Sequence, residues 1–259
     1  MPAKILLRKT SLVDYPGRVS SVLFFSGCNL RCPWCHNPEL VRGGAKNPAE
    51  STLTDQGSAP LTLIGVEDAL AHLRKRFSVL GGVVLSGGEP CLQEELPDII
   101  AEIKKIALSS KSAALPVKLD TNGMFPAMLE KLFSRAETRP DYIALDLKIA
   151  PERYGELTAN NGENQRELGE KLIQSAALIR QSGIEHEYRT LALPGAFITE
   201  KDIEALAPLT DSAPWYFRPF RGGNCLDPAW DNLEEPVTQA QGRLKVLAGK
   251  AGKRAITGK

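Results

Sequence analysis

The segment VSSVLFFSGCNLRCPWCH, residues 19–36, joins a short apolar run to a loop that carries three cysteines. The run Val19–Phe25 is rich in β-branched and aromatic residues, and this composition predicts a buried β-strand. The cysteines follow it directly, at the position where parallel α/β folds place their chemistry. The segment therefore predicts both a strand of a parallel sheet and the start of a functional site.

Working outward from this segment, the same order of strand and then helix repeats along the chain. Hydrophobic patterns predict further strands at residues 83–85, 117–120, 142–147, 187–193 and 215–220. Apolar residues at helical spacing predict a helix after each strand, at residues 66–77, 96–106, 128–133, 168–179, 199–206 and 237–247. Six such units favour an α/β fold with a parallel sheet and outer helices, rolled into a barrel or partial barrel. An open doubly wound sheet is the alternative that this pattern leaves open.

Composition divides the chain into three predicted regions. Residues 1–230 are predicted to form the barrel, with a flexible insertion at 42–61 that is rich in Gly, Ala, Pro, Ser and Thr. Residues 231–248 are predicted to form a C-terminal helix. Residues 249–259 combine several glycines and basic side chains with few apolar residues, which predicts a disordered basic tail.

The overall charge gives no sign of a nucleic-acid or membrane partner. The 259 residues include 32 Lys and Arg against 31 Asp and Glu, a formal net charge of +1, so no strong field of one sign attracts a polyanion or an anionic surface. No apolar run approaches the roughly 18 residues of a membrane helix, and no secretory signal is evident at residues 1–9. Five cysteines, three of them crowded together, do not resemble a disulfide framework. We therefore expect a cytoplasmic protein.

The spacing Cys28-x3-Cys32-x2-Cys35 indicates a metal centre. Three thiolates on one short loop can reach three corners of a cubane [4Fe–4S] cluster, and a small molecule can then occupy the fourth iron. The alternative is a non-catalytic zinc-binding module, because a structural zinc site needs four ligands and His36 could supply the fourth. His36 is adjacent to Cys35, however, and two neighbouring residues bind one tetrahedral ion only with strain. The lone thiols of Cys91 and Cys225 are predicted to be buried and structural.

With these residues in view, the sequence resembles the radical S-adenosylmethionine (SAM) superfamily and, more narrowly, the activating enzymes of glycyl-radical enzymes. The resemblance runs from about Lys9 to about Pro228, and the ending Gly222–Pro228 is similar to the activating proteins of anaerobic ribonucleoside-triphosphate reductase. The motifs that carry it are Ser11–Gly17, the cysteine loop ending at Asn37, Ser86–Pro90, Asp120–Gly123, Asp146–Lys148, Arg189 and Pro194-Gly195.

The resemblance implies a partial (β/α)6 barrel with a [4Fe–4S] cluster on the three cysteines and SAM at the C-terminal ends of the strands. Gly87 and Gly88 lack side chains, so the backbone there can approach a ligand closely, and Glu89 would bind the amino group of SAM. A monovalent cation could lie beside SAM, near Asp120, Thr121 and Asp146. Lys148 and Arg189 could pair with the SAM carboxylate or could equally be surface cations. The full set of implied SAM contacts is Trp34, His36, Gly87, Gly88, Glu89, Asp120, Thr121, Asn122, Asp146, Lys148 and Arg189.

The resemblance also implies a reaction and its partners. A reduced flavodoxin or ferredoxin would deliver one electron, SAM would be cleaved, and the 5′-deoxyadenosyl radical would remove a hydrogen atom from a glycine of a partner enzyme. Anaerobic ribonucleoside-triphosphate reductase and a pyruvate formate-lyase-like enzyme are the expected partners. A radical SAM enzyme that acts on a small molecule, like the 7-carboxy-7-deazaguanine synthases, is the alternative within the same superfamily.

Overall fold

The chain divides into two compact units, which we describe separately. Unit 1 comprises Met1–Asn29, Glu39–Thr121 and Ala127–Ile143, and unit 2 comprises Leu30–Pro38, Asn122–Pro126 and Ala144–Lys259. The computed structural model describes residues 4–41, 62–109, 115–158, 165–195, 197–233, 237–252 and 255–257. The insertion predicted at 42–61 lies outside the described residues. None of the described helices is both long enough and apolar enough to span a bilayer.

The described residues of unit 1 contain five strands, of which the last three in spatial order are parallel. Their order is β3-β1-β2-β4-β5; β1 pairs antiparallel with β2 and β3, whereas β2, β4 and β5 pair in parallel. The strands are β1 (Lys4–Tyr15), β2 (Arg18–Phe25), β3 (Thr62–Gly65), β4 (Gly82–Gly87) and β5 (Val117–Thr121). The helices of this part of the chain are α1 (Pro38–Val41), α2 (Val66–Arg76), α3 (Leu96–Ser109) and α4 (Pro126–Phe133).

Strand β1 was not predicted from the sequence, and its irregular pairing explains why. Its register against β2 shifts twice, between Arg8 and Ser11 and between Ser11 and Tyr15. Each shift interrupts the alternation of apolar and polar residues by which a strand is recognised. At the second shift the Ser11 hydroxyl accepts hydrogen bonds from the main-chain N–H groups of Val13 and Asp14, both at 3.3 Å. The Ser11–Gly17 motif therefore forms an irregular strand end and a tight turn.

Unit 2 contains a second group of parallel strands. β7 (Glu185–Ala192) pairs with β8 (Trp215–Pro219), which pairs with β9 (Ala255–Thr257). β6 (Tyr142–Asp146) begins in unit 1 and ends in unit 2. The helices are α5 (Gln165–Ser182), α6 (Glu200–Leu206) and α7 (Val237–Ala251). Both units are therefore α/β with mainly parallel strands, which confirms the predicted fold class.

The predicted C-terminal boundaries need correction. Helix α7 continues to Ala251, and residues 255–257 form strand β9 instead of a disordered tail. β9 adds to the edge of β8 through main-chain pairing, with Trp215 opposite Ala255 and Phe217 opposite Thr257. Ile256 remains 43% exposed. A strand at the edge of a sheet can bury little side-chain surface, so it need not have an apolar pattern. The sequence of β9 therefore did not predict a strand.

A buried carboxylate fixes the start of α6. Thr199 caps this helix, as predicted, in a reciprocal arrangement: its hydroxyl accepts from Asp202 N, and Asp202 Oδ2 accepts from Thr199 N at 2.8 Å. Asp202 is 2% exposed, and it also accepts from Arg153 Nη1 at 2.8 Å and from Ala150 N at 3.0 Å. One side chain therefore joins α6 to the loop that follows β6.

We predict that Asp202→Ala lowers the free energy of unfolding by about 2 to 3 kcal/mol, because it leaves buried donors and the Arg153 guanidinium without their acceptor. Urea unfolding followed by circular dichroism measures the change. Glu167→Ala is the matched control, since it breaks an exposed ion pair with Lys171 and should leave the unfolding midpoint unchanged.

The same carboxylate predicts a dependence on pH. Burial opposes ionisation of Asp202, but the hydrogen bonds from Ala150, Thr199 and Arg153 outweigh it and lower its pKa. Because the pKa of Asp202 is lowered in the folded state, its ionised form stabilises the fold at pH values above the pKa of an aspartate in the unfolded chain, about 3.9. This stabilisation is lost as the pH falls further. The stability difference between wild type and Asp202→Ala should therefore shrink from pH 6 to about pH 3. A difference that does not change with pH would contradict this account.

Candidate functional site

The cysteine loop lies between β2 and α1. Cys28 belongs to unit 1 and is partly exposed, whereas Cys32 and Cys35 belong to unit 2, the first buried and the second partly exposed. None of the three is part of a disulfide. In unit 2, Cys35 N donates to Cys32 O at 3.0 Å, and Arg31 N donates to Leu157 O at 2.5 Å. Among the residues that the structure describes, no three His, Cys, Asp or Glu side chains are grouped closely enough to hold a metal ion.

The two glycines after β4 pack against the start of the cysteine loop. Gly88 N donates to Phe25 O and Glu89 N donates to Gly27 O, both at 2.9 Å. A Cβ atom on Gly88 would lie 2.1 Å from Gly27 O and 3.3 Å from Cys28 Cβ. Gly87 has φ +122°, and a Cβ atom there would lie 2.3 Å from Phe25 N. The glycines therefore allow two stretches of the chain's own backbone to approach each other, a role that was not predicted from the sequence.

Glu89 is a buried carboxylate held by its neighbours in unit 1. It is 1% exposed, and its Oε1 accepts from Cys91 N at 3.0 Å and from the Thr121 hydroxyl at 2.9 Å. Cys91 is buried as predicted, and burial together with the nearby Glu89 charge raises the pKa of its thiol well above the usual value. Glu89 and Thr121, both predicted site residues, are therefore joined directly, and Cys91 is an inert thiol beside them.

Asp120 and Asn122 have different structural roles. Asp120 Oδ2 accepts from the Ser86 hydroxyl at 3.0 Å, and its Oδ1 contacts the ammonium group of Lys118. Lys118 is 2% exposed and was not predicted from the sequence to belong to the site. In unit 2, Asn122 Oδ1 accepts from Met124 N at 3.0 Å, so its side chain shapes the turn after β5.

The predicted residues Asp146, Lys148 and Arg189 form one charged group in unit 2. Arg189 Nε donates to Asp146 Oδ1 at 2.8 Å, and Lys148 Nζ donates to Asp146 Oδ2 at 3.2 Å. Burial opposes ionisation of this carboxyl, but Arg189 and Lys148 outweigh it and lower the pKa of Asp146 to about 2. The carboxylate therefore stays ionised across the physiological pH range.

A cavity of about 340 Å³ opens beside this group in unit 2. Its walls include Asp146, Lys148, Arg189 and Arg218, so three cationic side chains face one carboxylate. Trp34 and His36 from the cysteine loop also line it. The excess of positive charge suits an anionic group such as a carboxylate. Arg218 was not identified from the sequence, because it lies in a segment whose aromatic residues predict only an ordinary β-strand.

The segment Phe220–Asp231, which we term the clasp, folds over the second half of the cysteine loop. Leu226 N donates to Cys35 O at 2.9 Å, and Asp227 N donates to Pro33 O at 3.0 Å. Asn224 Nδ2 donates to His36 O at 3.2 Å, and the His36 ring N–H donates to Arg221 O. The clasp was noted in the sequence as a motif, but its role as a main-chain support for this loop was not predicted.

Aromatic rings complete the support of the loop. Trp34 is 4% exposed and packs against Phe197 and Trp230, with ring centroids 4.9 and 5.5 Å away. His36 stacks on Phe220 at 5.6 Å. Cys225 is buried as predicted, and burial together with Asp231 raises the pKa of its thiol to about 11. Most of the Trp34 ring is therefore in contact with protein, although its edge reaches the cavity.

Comparison with known proteins defines the class of this chain. It belongs to the radical SAM superfamily, whose family model matches residues 22–207. The superfamily consists of enzymes whose cofactors are a [4Fe–4S] cluster and SAM, so the chain is an enzyme with these cofactors.

Three individual comparisons add detail. The chain is 29% identical to a provisionally named glycyl-radical enzyme activating enzyme of Methanocaldococcus jannaschii, over 93% of this chain and 89% of the relative. It is 31% identical to a pyruvate formate-lyase-activating enzyme of Clostridium pasteurianum, over 55% of this chain and 50% of the relative. A radical SAM methyltransferase structure from Sphaerobacter thermophilus superposes with a TM-score of 0.63 at 14% identity, covering 94% of this chain and 67% of the other. This last likeness shows the fold alone.

We predict that Gly88→Ala destabilises the protein by about 2 kcal/mol or more, because the added Cβ would meet the Gly27 carbonyl, which cannot rotate away as a side chain could. Chemical denaturation of the purified variant measures this loss. Gly242→Ala in α7 is the matched control, since a Cβ there meets nothing within 4 Å and should be neutral or slightly stabilising. Equal stability of the Gly88 variant and wild type would contradict the observed packing.

Proposed function

We propose that this enzyme cleaves SAM at a cluster held by Cys28, Cys32 and Cys35 and generates a glycyl radical on a partner protein. The observation that carries the proposal is the cysteine loop itself, which places three cysteines outside any disulfide within eight residues. In unit 1 the start of the loop is bonded to Glu89, and in unit 2 its second half is bonded to the clasp. Membership of the radical SAM superfamily supplies the reaction class.

The donor set fits a [4Fe–4S] cluster chemically. The three cysteines lie outside any disulfide, and soft thiolates are the ligands that iron–sulfur clusters require. When bound, the cluster and SAM supply the reductive cleavage that yields methionine and a 5′-deoxyadenosyl radical. The loop is tied to the rest of the chain through the main-chain atoms of Gly27, Pro33 and Cys35. These bonds do not use the cysteine side chains, which are the proposed ligands.

The remaining predicted residues would bind and orient SAM. The buried Glu89 carboxylate, held by Thr121, suits the positively charged amino group of the methionine part. The cationic cavity with Lys148 and Arg189 suits its carboxylate. Trp34 would form an apolar wall that excludes water from the reacting atoms. In this proposal the protein orients the cofactor and protects the radical, and no side chain acts as a general base.

The partner is proposed from the relatives. Two of them are named as activating enzymes, one for glycyl-radical enzymes in general and one for pyruvate formate-lyase. We infer that the substrate is a glycine Cα–H bond of a glycyl-radical enzyme, either a pyruvate formate-lyase-like enzyme or anaerobic ribonucleoside-triphosphate reductase. A reduced flavodoxin or ferredoxin would supply the electron.

The ligand assignment predicts that Cys32→Ala abolishes SAM cleavage, because two thiolates cannot retain the cluster. Anaerobically reconstituted wild type should contain about four iron atoms and should release methionine and 5′-deoxyadenosine under a strong reductant. Cys225→Ala, which removes a buried thiol without a proposed role, should retain both properties. Zinc in the purified protein, or undiminished cleavage by the Cys32 variant, would refute the assignment.

The partner assignment predicts a glycine-centred electron paramagnetic resonance signal when reduced enzyme, SAM and a candidate glycyl-radical enzyme are mixed anaerobically. Replacing the target glycine of the partner by alanine should remove the signal while the partner remains folded. SAM cleavage that responds only to a small molecule, with no signal from any glycyl-radical enzyme, would favour the alternative function.

A further inference from the structure

Lys118 is a buried cation with no assigned role. It lies in β5 opposite Val84 of β4, and its side chain is only 2% exposed. Residues two apart in a strand point to the same face of the sheet, which places Lys118 beside Asp120. The Lys118 ammonium group contacts Asp120 Oδ1, and the Ser86 hydroxyl donates to Asp120 Oδ2 at 3.0 Å. Both oxygens of this carboxylate therefore have a partner from the chain itself.

The burial of Lys118 makes this contact significant. A charged ammonium group removed from water is costly unless an opposite charge compensates it. Asp120 supplies that charge, and Lys118 in turn neutralises Asp120. The pair therefore forms a unit in which neither charge requires a dissolved ion.

The second carboxylate of the predicted cation site is also compensated. In unit 2, Asp146 Oδ1 accepts from Arg189 and Oδ2 accepts from Lys148, at 2.8 and 3.2 Å. The Thr121 hydroxyl donates to Glu89 at 2.9 Å. Asp120, Thr121 and Asp146, which the family resemblance assigned to a monovalent cation, thus each have a partner within the chain. The partners of the two carboxylates include cationic side chains. A K⁺ or Na⁺ ion would have to displace or face these cations, so the residues do not fit the ion.

We propose that the Lys118 ammonium group takes the place of the monovalent cation at Asp120, so that this enzyme binds SAM without K⁺ or Na⁺. The part of this inference that concerns SAM rests on the proposed function. Lys118 acts as a positioning residue: it holds Asp120 in place and cancels its charge without touching the reacting atoms.

The test compares wild type with Lys118→Met, which removes the charge and keeps a similar length. SAM binding to the anaerobically reconstituted enzyme is measured in KCl and in tetramethylammonium chloride at equal ionic strength. Wild type should bind SAM equally in both salts. In the variant, Asp120 lacks its cation, so K⁺ should strengthen SAM binding about tenfold, as expected for one charge-assisted contact.

A second measurement needs no SAM. The melting temperature of the variant should rise in KCl relative to tetramethylammonium chloride, whereas that of wild type should not. Lys104→Met is the matched control, because it breaks another lysine–aspartate pair, that with Asp141 at 3.4 Å, and should create no preference for K⁺.

Two results would overturn the inference: K⁺-dependent SAM binding by wild type, which can be measured even if the variant does not fold, or a folded variant as indifferent to K⁺ as wild type. If wild type binds no SAM in either salt, the proposed function fails. The melting comparison would still decide the role of Lys118, so the two failures are distinguishable.

Discussion

The close approach of two stretches of backbone is the constraint on which the candidate site depends. Gly88 lies against Gly27 so tightly that a Cβ atom would be 2.1 Å from the carbonyl oxygen. The same approach forms the hydrogen bond from Glu89 N to Gly27 O. It therefore sets the start of the cysteine loop and the position of the buried Glu89 carboxylate together. A glycine is needed here by the packing of the chain, before any ligand is considered.

Electrostatic compensation inside each unit is the second organising feature. Asp120 is matched by Lys118, Asp146 by Lys148 and Arg189, and Asp202 by Arg153. Each pair holds an ionised carboxylate near the end of a strand or the start of a helix, where an uncompensated charge would be costly. Arg218 adds a further positive charge to the cavity in unit 2. This surplus gives the cavity its preference for an anionic group.

Local patterns in the sequence predicted much of the fold, whereas contacts between residues far apart in the sequence could not be predicted from such patterns. The apolar stripe of α3 and the cap at Thr199 depend on residues three or four apart, and both were found. Strand β1 was missed because its register shifts break the alternation, and β9 because it pairs through its backbone. Lys118 could have been found, since a lysine two residues before an aspartate in an apolar strand must share its face. The contacts of the clasp could not have been predicted, because they join residues more than 180 positions apart.

That separation in sequence has a consequence for how the protein is made. The loop that contains Cys35 leaves the ribosome before Asn224, which bonds to His36 O and lies 188 residues further along the chain. At a typical synthesis rate of about 5–20 residues per second, roughly ten seconds or more pass between the two. Throughout this interval the second half of the loop lacks its hydrogen bonds to the clasp. The second half of the cysteine loop therefore reaches its supported conformation only after the clasp has been synthesised.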